Sequence, residues 1–368
     1  MISRRHFLST VSGAAAVSAL PQTAAAQSTG ISLTQSATTA GGKYRPPFRI
    51  GLGGAPMGGS SKLPVTDEEA VAILDNAWAA GMRFYDNSPW YGLGLSERRF
   101  GQMLNDKKRD EYVLSTKVGR ILTGSLKPKA TAWGNPDSFD YTYDYTASAT
   151  RRSIEDSLQR LGLPSIDIVF IHDLTAVNGD LGERWTEYFD QAVKGAMPEL
   201  TKMREEGIIK AWGLGVNNLE PILRTLDVAD PDIFLAACQY SLIEHEESVT
   251  KLFPACDAKG VSIVVGSPLN NGFITGAQRF NYGPKIPAGF EDKRARMQTI
   301  AKEHGVDLRT AALQFTAAPT TVSATIPGAR KRNHPEENVK SMAVKIPADF
   351  WAELKQEKLI AEGAPVPA

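Results

Sequence analysis

Three apolar runs of this 368-residue sequence each end on an ionisable side chain: M-R-F-Y-D on Asp86, V-L-S-T-K on Lys117 and I-V-F-I-H on His172. Tyr91 lies five residues beyond Asp86, in a connection, N-S-P-W-Y-G-L-G-L-S-E, more elaborate than two packed elements require. Together the four groups suit proton exchange with a carbonyl or hydroxyl oxygen. A phenol, with an ordinary pKa of about 10, is a weak acid or base at neutral pH. An ammonium beside it favours the phenolate, so Lys117 is expected to lower the pKa of Tyr91. Asp86 can hold that lysine charged and aimed, and His172 can donate a hydrogen bond to a substrate oxygen. None of the four is an obvious carbon nucleophile, so a reducing equivalent has to come from a cofactor. Any one of these residues alone is commonly just a satisfied polar group; their joint placement makes the site.

Such residues need strand ends to hold them. Short apolar runs alternate with amphipathic segments along the chain. Expected strands are 49–53, 82–85, 113–116, 166–171, 210–215, 233–237, 261–265 and 324–326. Expected helices include one opened by the capping box T-D-E-E at Thr66, one capped by Ser96, and others over 147–161, 195–206 and from Asp307. Eight near-continuous apolar strands separated by helices imply a parallel sheet covered on its outer side. The count and spacing match a (β/α)8 TIM barrel, a single domain spanning 46–362 and followed by a tail at 363–368. In that architecture Asp86, Lys117 and His172 converge at the carboxyl ends of the strands. Two insertions, 118–146 with Trp133 and S-F-D-Y-T-Y-D-Y-T, and 272–291, fall on the same face. The first is expected to wall a pocket or to act as a lid.

Lys plus Arg equals Asp plus Glu, 41 each, so no basic field draws nucleic acid. No His or Cys pair has ligand spacing, and no metal is expected. The start, M-I-S-R-R-H-F-L, followed by an apolar small-residue stretch and A-A-A, reads as an export signal peptide over 1–26, too short to span a membrane stably. Its S-R-R-H-F-L run resembles the twin-arginine type, which implies the twin-arginine export machinery as a partner and a periplasmic location. The alternative is an unprocessed, cytoplasmic protein. Residues 27–45, rich in Ser, Thr, Gly and Ala, read as a flexible segment outside the fold. Cys238 and Cys256 are expected to be reduced, buried thiols.

The stretch from Gly81 to Gly101 resembles the aldo-keto reductase signature, an acid and a tyrosine five apart followed by Y-G-x-G-x-S-E. Further similar segments are V-L-S-T-K-V-G, I-D-I-V-F-I-H-D, G-L-G-V-N-N at 213–218, C-Q-Y-S at 238–241, G-S-P-L-N-N-G at 266–272 and I-P-G-A-R at 326–330. The H-D and G-S-P-L-N-N-G segments resemble the aldose, fucose and galactose dehydrogenase-like branch. The resemblance implies Tyr91 as general acid/base tuned by Lys117 and Asp86, with His172 orienting the substrate oxygen. It implies NADP or NAD as cofactor, and a small carbonyl compound, sugar or alcohol as substrate. Cofactor contacts would come from Asn217 and Asn218, where the family has Ser-Asn, and from Gln239, Ser267 and Leu269. Gly328, Ala329, Arg330 and Lys331 would meet the pyrophosphate or adenosine, and Glu337 and Asn338 the adenine. Gly266 replaces a stacking tyrosine. Gly328-Ala329 and His334 replace residues of NADP-preferring members, with Arg330, Lys331 and Arg332 as partial substitutes. Two other classes stand beside this reading: an idle barrel serving as a binding subunit, and a glycoside hydrolase, for which the second carboxylate is missing.

Overall fold

The computed structural model describes residues 30–60, 62–133 and 139–367; the export signal expected over 1–26 lies outside them. Eight parallel strands form the central sheet, in the order β1 (Leu52–Gly53), β2 (Phe84–Asp86), β3 (Val113–Val118), β6 (Ile168–His172), β7 (Ala211–Val216), β8 (Ile233–Ala237), β9 (Ser262–Gly266) and β10 (Val322–Ile326). Parallel bridges Ile50–Thr325 and Gly53–Gly328 bring the last strand back to the first and close the barrel. β4 (Arg120–Gly124) and β5 (Phe139–Tyr143) form a separate antiparallel hairpin at the mouth, within the first insertion.

Helices cover the outside: α1 (Asp67–Ala79), α2 (Leu95–Leu104), α3 (Ala147–Leu161), α4 (Trp185–Lys194), α5 (Ala196–Glu205), α6 (Glu220–Val228), α7 (Phe253–Asp257), α8 (Phe290–Glu303) and α9 (Leu308–Ala317), then α10 (His334–Ala343) and α11 (Ala348–Gln356). The Thr66 capping box is formed as read, Thr66 and Glu69 exchanging backbone hydrogen bonds at the start of α1. Ser96 is not a cap: α2 begins after Gly94, and Ser96 donates instead to the Gly54 carbonyl at 2.9 Å. The helix expected near 195–206 is α5, and a further helix, α4, precedes it. Trp185, Phe189 and Ala192 give α4 a buried face, and the chain breaks at Gly195. A side chain at Gly195 would come within 2.6 Å of the Tyr145 carbonyl, so glycine is required at the break.

The expected flexible segment is corrected by the structure. Antiparallel bridges Thr34–Phe48 and Thr38–Tyr44 make residues 34–48 a hairpin, and the Gln35 amide donates to the Ser323 carbonyl of β10 at 2.6 Å. Tyr44 and Phe48 pack onto a buried cluster made of Phe84, Val113, Ile168, Phe170, Ala211, Ile233, Leu235, Val264, Ala324 and Ile326. That cluster fills the barrel's interior, and the hairpin plugs its amino-terminal end. The polar composition of the segment belongs to its outer face. Near the carboxyl end, Ala364 is 2% exposed and the Ala361 amide donates to Nε2 of His245 at 3.0 Å.

Phe48→Ala should therefore lower the free energy of unfolding by about 2 kcal/mol, the lower end for a partly buried aromatic. Urea denaturation checks this, and an unchanged midpoint would show that the hairpin does not plug the barrel.

Candidate active site

The register of the barrel assembles the first part of the site. Asp86, last residue of β2, is the lateral partner of Ser115 on β3, and Lys117 is two residues further along the same face. All three side chains are buried. The Lys117 ammonium donates to both Asp86 carboxylate oxygens at 2.8 Å and to the Asn87 carbonyl at 2.7 Å. Ser115 Oγ donates to Asp86 Oδ1 at 2.8 Å. Burial disfavours charge on both partners, raising Asp86 and lowering Lys117, and each partner's charge offsets that effect on the other. Three acceptors around one nitrogen are satisfied only by an ammonium.

The connection after Asp86 carries Tyr91 back over this pair. Its tyrosine ring lies 4.8 Å from Lys117 Nζ and edge-on to the His172 ring at 5.7 Å. Gly92 has φ of +66°, and a side chain there would come within 2.3 Å of the Gly58 carbonyl. Gly94 turns with φ of +87° into α2. These two glycines let the loop fold flat against the β1–α1 connection, which is what positions the phenol.

One expectation is reversed. Tyr91 is not brought down by Lys117; its pKa is pushed well above the ordinary phenol value, by burial first and then by the charge of Asp86. The reason is visible in the hydrogen bonds: the ammonium is fully engaged by Asp86 and Asn87, so its field at the phenol is largely compensated. His172, buried at the end of β6, is held well below the ordinary histidine value by burial, with Arg120 and Lys117 adding to the effect and Asp173 opposing it.

A cavity of about 410 Å³ opens beside His172, lined by Trp90, Arg120, Tyr141, Asp173, Asn178 and Asp180 among others. The first insertion supplies its outer wall: Tyr141 Oη and Tyr143 Oη both donate to Asp180, at 2.7 and 3.0 Å, and Trp90 packs on Tyr141 and Trp133. The insertion is therefore a wall over its described residues. Sequence reasoning missed Arg120, Asp173, Asn178 and Asp180. K-V-G-R and H-D were the available signals, polar residues immediately following two strands already assigned to the site.

The residues expected to hold a dinucleotide lie on the adjoining arc of the mouth. Among the described residues, Oδ1 of Asn217 and Oε1 of Gln239 are buried without a hydrogen-bond partner. Gln239 is oriented by its amide, which donates to the Val216 carbonyl at 3.0 Å. Two orphaned acceptors at the ends of neighbouring strands fit a carboxamide donor such as that of nicotinamide. Asn218 is engaged elsewhere, its Oδ1 accepting from Thr175. Ser267 and Leu269 are half-buried after β9, and Tyr282, an exposed residue of the second insertion, comes close to Ser267 and Cys238. Tyr282 was also missed.

Farther along, Gly328 is exposed, and a side chain there would come within 2.8 Å of Pro56. Ala329 is buried, Arg330 donates to the Leu63 carbonyl at 2.8 Å, and Lys331 and Arg332 are exposed. Glu337 is already bound by Arg309 and Asn333, and Asn338 is buried, 2% exposed. An adenine reaching Glu337 would have to share it with Arg309, a residue with no counterpart in the sequence reading.

Asp173, Cys238, Ser267 and Asn270 all adopt positive φ, between +46° and +61°, just beyond strand ends at this mouth. Strain of this kind gathers where a site over-determines the backbone. Cys238 and Cys256 are free, and burial pushes their thiols up to about 11 and about 12. Among the described residues no cluster of His, Cys, Asp or Glu is arranged to hold a metal, and no helix is long and apolar enough to cross a membrane.

Comparison with known proteins agrees with this geometry. The sequence pattern of the Aldo/keto reductase family matches residues 49–358. The chain is 35% identical to a D-threo-aldose 1-dehydrogenase from a Pseudomonas species over 341 residues, 90% of this chain and 99% of that protein. It is 34% identical to a pyridoxal 4-dehydrogenase from Microbacterium luteolum over 328 residues, 85% of this chain and 94% of that protein. A solved aldo-keto reductase from Klebsiella pneumoniae, in complex with NADPH, superposes with a TM-score of 0.60 at 20% identity, covering 91% of this chain and 100% of the other, a likeness of fold. The chain belongs to the aldo-keto reductase family and is an oxidoreductase.

Lys117→Met strands the Asp86 carboxylate inside the barrel and should reduce the free energy of unfolding by about 3 kcal/mol. The double variant Asp86→Asn/Lys117→Met should regain most of that stability without regaining activity. Urea unfolding of the three proteins decides it; a double variant no more stable than the single one would contradict the pairing.

Proposed function

We propose that this chain is a dehydrogenase that uses NAD or NADP to interconvert a small alcohol or sugar hemiacetal with its carbonyl form, with Tyr91 exchanging the proton. The observation that carries the reading is the convergence of Tyr91, the Asp86–Lys117 pair and His172 beside a polar cavity. The similarity to an aldose 1-dehydrogenase supports sugars as substrates. So does the cavity lining, where Asp173, Asn178 and Asp180 can accept from or donate to hydroxyls and Trp90 offers an aromatic face.

When a dinucleotide is bound, its nicotinamide supplies or accepts the hydride. Asn217 and Gln239 would hold its carboxamide, and Arg330 and Lys331 its phosphates. Everything else falls to this chain's own groups. His172 donates a hydrogen bond to the substrate oxygen and sets its distance from Tyr91. The phenol gives its proton to that oxygen as a carbonyl is reduced, or the phenolate takes it as an alcohol is oxidised. Lys117 and Asp86 fix the floor beneath the phenol. The aromatic wall of Trp90, Trp133 and Tyr141 limits access of water from the insertion side.

The pH dependence has a definite sign. A phenol held well above its ordinary value is protonated throughout the neutral range. Carbonyl reduction should accordingly be flat with pH across that range, and alcohol or hemiacetal oxidation should rise with pH, because only the small phenolate fraction accepts the proton. Tyr91→Phe should lower turnover by about 10³-fold while leaving dinucleotide affinity within about twofold. Turnover of an aldose panel with each dinucleotide, followed at the nicotinamide absorbance, tests the reading. A variant retaining full activity would remove Tyr91 from the chemistry, and tight dinucleotide binding with no turnover of any carbonyl or alcohol would mark a binding subunit.

For location, the S-R-R-H-F-L run and the A-A-A that ends the first 26 residues support export of the folded protein by the twin-arginine route, with its dinucleotide tightly held. Fractionation of cells and sequencing of the mature amino terminus check this. Arg4→Lys/Arg5→Lys should trap the protein in the cytoplasm, and wild-type protein found only there with Met1 in place would contradict export.

A further inference from the structure

Arg120 opens β4 immediately after Gly119, whose φ of +110° turns the chain out of the barrel wall. The residue is buried, 4% exposed, and its guanidinium carbon lies over the rings of Trp90 and Tyr143, at 4.5 and 4.9 Å from their centroids. Nε donates to Tyr143 Oη at 3.0 Å and one terminal nitrogen donates to Asp173 Oδ2 at 3.0 Å. The other lies 3.4 Å from Nδ1 of His172.

An arginine has no acceptor, so at that last contact it can only donate. Ser88 Oγ sits 3.0 Å from the same Nδ1, which can only accept while it faces the arginine donor, so the hydroxyl donates to it as it accepts the Trp90 amide at 3.1 Å. Two donors thus converge on Nδ1. That nitrogen has to present its lone pair, and the ring proton belongs on Nε2. Nε2 lies 3.6 Å from Asp173 Oδ2, a carboxylate already engaged by Arg120.

The groups facing this imidazole are Ser88 and Tyr91 from the β2–α2 connection, Lys117 from β3, Arg120 from β4 and Asp173 from its own strand end. From beyond β5, Tyr145 donates to the His172 carbonyl at 3.1 Å. Arg120 balances the carboxylate beside the ring, and Lys117 is itself paired with Asp86. Were Arg120 absent, Asp173 would be left uncompensated next to Nε2. It would then favour an imidazolium and capture its Nε2 proton.

We propose that Arg120 is a positioning residue that holds His172 in its Nε2–H tautomer and keeps Asp173 occupied, so that the Nε2 proton is left free for a substrate oxygen. His172 is thereby a neutral hydrogen-bond donor at every working pH, and the only proton that moves to substrate is that of Tyr91. The tautomer stands on the contacts alone; its use toward substrate rests on the oxidoreductase reading above.

The test is a two-bond ¹H–¹⁵N spectrum of the ligand-free protein labelled at its five histidines, with His172 assigned by its loss in His172→Gln. The expected result is a protonated Nε2 and bare Nδ1 for His172 from pH 5 to 8. A protonated Nδ1, or an imidazolium appearing by pH 6, would overturn the proposal without any activity measurement. Arg120→Met should shift His172 toward the ordinary titration near about 6.5. It should also add an acid limb to kcat/KM for carbonyl reduction, with a fall of about tenfold between pH 8 and 5 that wild type lacks in that direction. Arg120→Lys, which keeps the charge, should restore most of the flat profile. An Arg120→Met protein with the wild-type tautomer and a pH profile parallel to wild type would refute the assignment. A protein with the expected spectrum but no turnover would instead count against the oxidoreductase reading.

Discussion

The ammonium of Lys117 lies inside the barrel wall with Asp86 as its counter-charge, and much of the carboxyl-terminal face is arranged around that pair. Two charges taken out of water are held at this cost only when geometry and hydrogen bonding are close to complete. Here the carboxylate receives Ser115 as well as the lysine, and the lysine's third proton goes to the Asn87 carbonyl. The lateral register of β2 and β3 supplies the alignment. On the far side, Gly215 of β7 lies against the lysine stem and Phe170. A barrel of parallel strands is the scaffold that brings three such strand ends to one point without a flexible link between them.

The pair determines what Tyr91 can be. Because the ammonium is engaged by Asp86 and Asn87, it acts on the phenol as a packed, compensated dipole under the ring. Burial then dominates and keeps the phenol protonated. The neighbouring histidine is kept uncharged by its burial first and then by a second cation, Arg120, itself balanced by Asp173. The mouth of the barrel thus carries two ion pairs, Lys117–Asp86 and Arg120–Asp173, with Tyr91 and His172, the two groups proposed to meet a substrate, set among them. One face of the cavity is aromatic and the other polar, a division that follows from the first insertion's tyrosines pairing with Asp180.

The strand-end rule was enough to find Asp86, Lys117 and His172 in the sequence, because each terminates an apolar run that burial on both faces demands. It also located the fold, since eight such runs separated by helices leave few architectures. What it could not read was whatever depends on side chains meeting across the mouth. Arg120 and Asp173 stand next to assigned residues, yet nothing in one dimension says that the two face each other or that both face His172. The direction of the Tyr91 shift was misread for the same reason: a lysine near a phenol lowers its pKa only if its charge is not already spent. Residues 34–45 of the hairpin were placed in a flexible segment because their composition is that of its outer face, while Tyr44 and Phe48, the residues that plug the barrel, are too few to form a pattern. The helix α4 was missed because it ends at Gly195, where the one helix expected in this stretch, α5, begins.

Whether the phenol at the centre of the site is held protonated can be seen without turnover. Protein labelled with ¹³Cζ-tyrosine, compared with Tyr91→Phe to assign the resonance, reports the ionisation of Tyr91 directly as pH is raised. The compensated Lys117–Asp86 pair predicts no change in that resonance through pH 10. A midpoint between pH 7 and 9 would mean that the ammonium acts on the phenol uncompensated, and would contradict the account at its root.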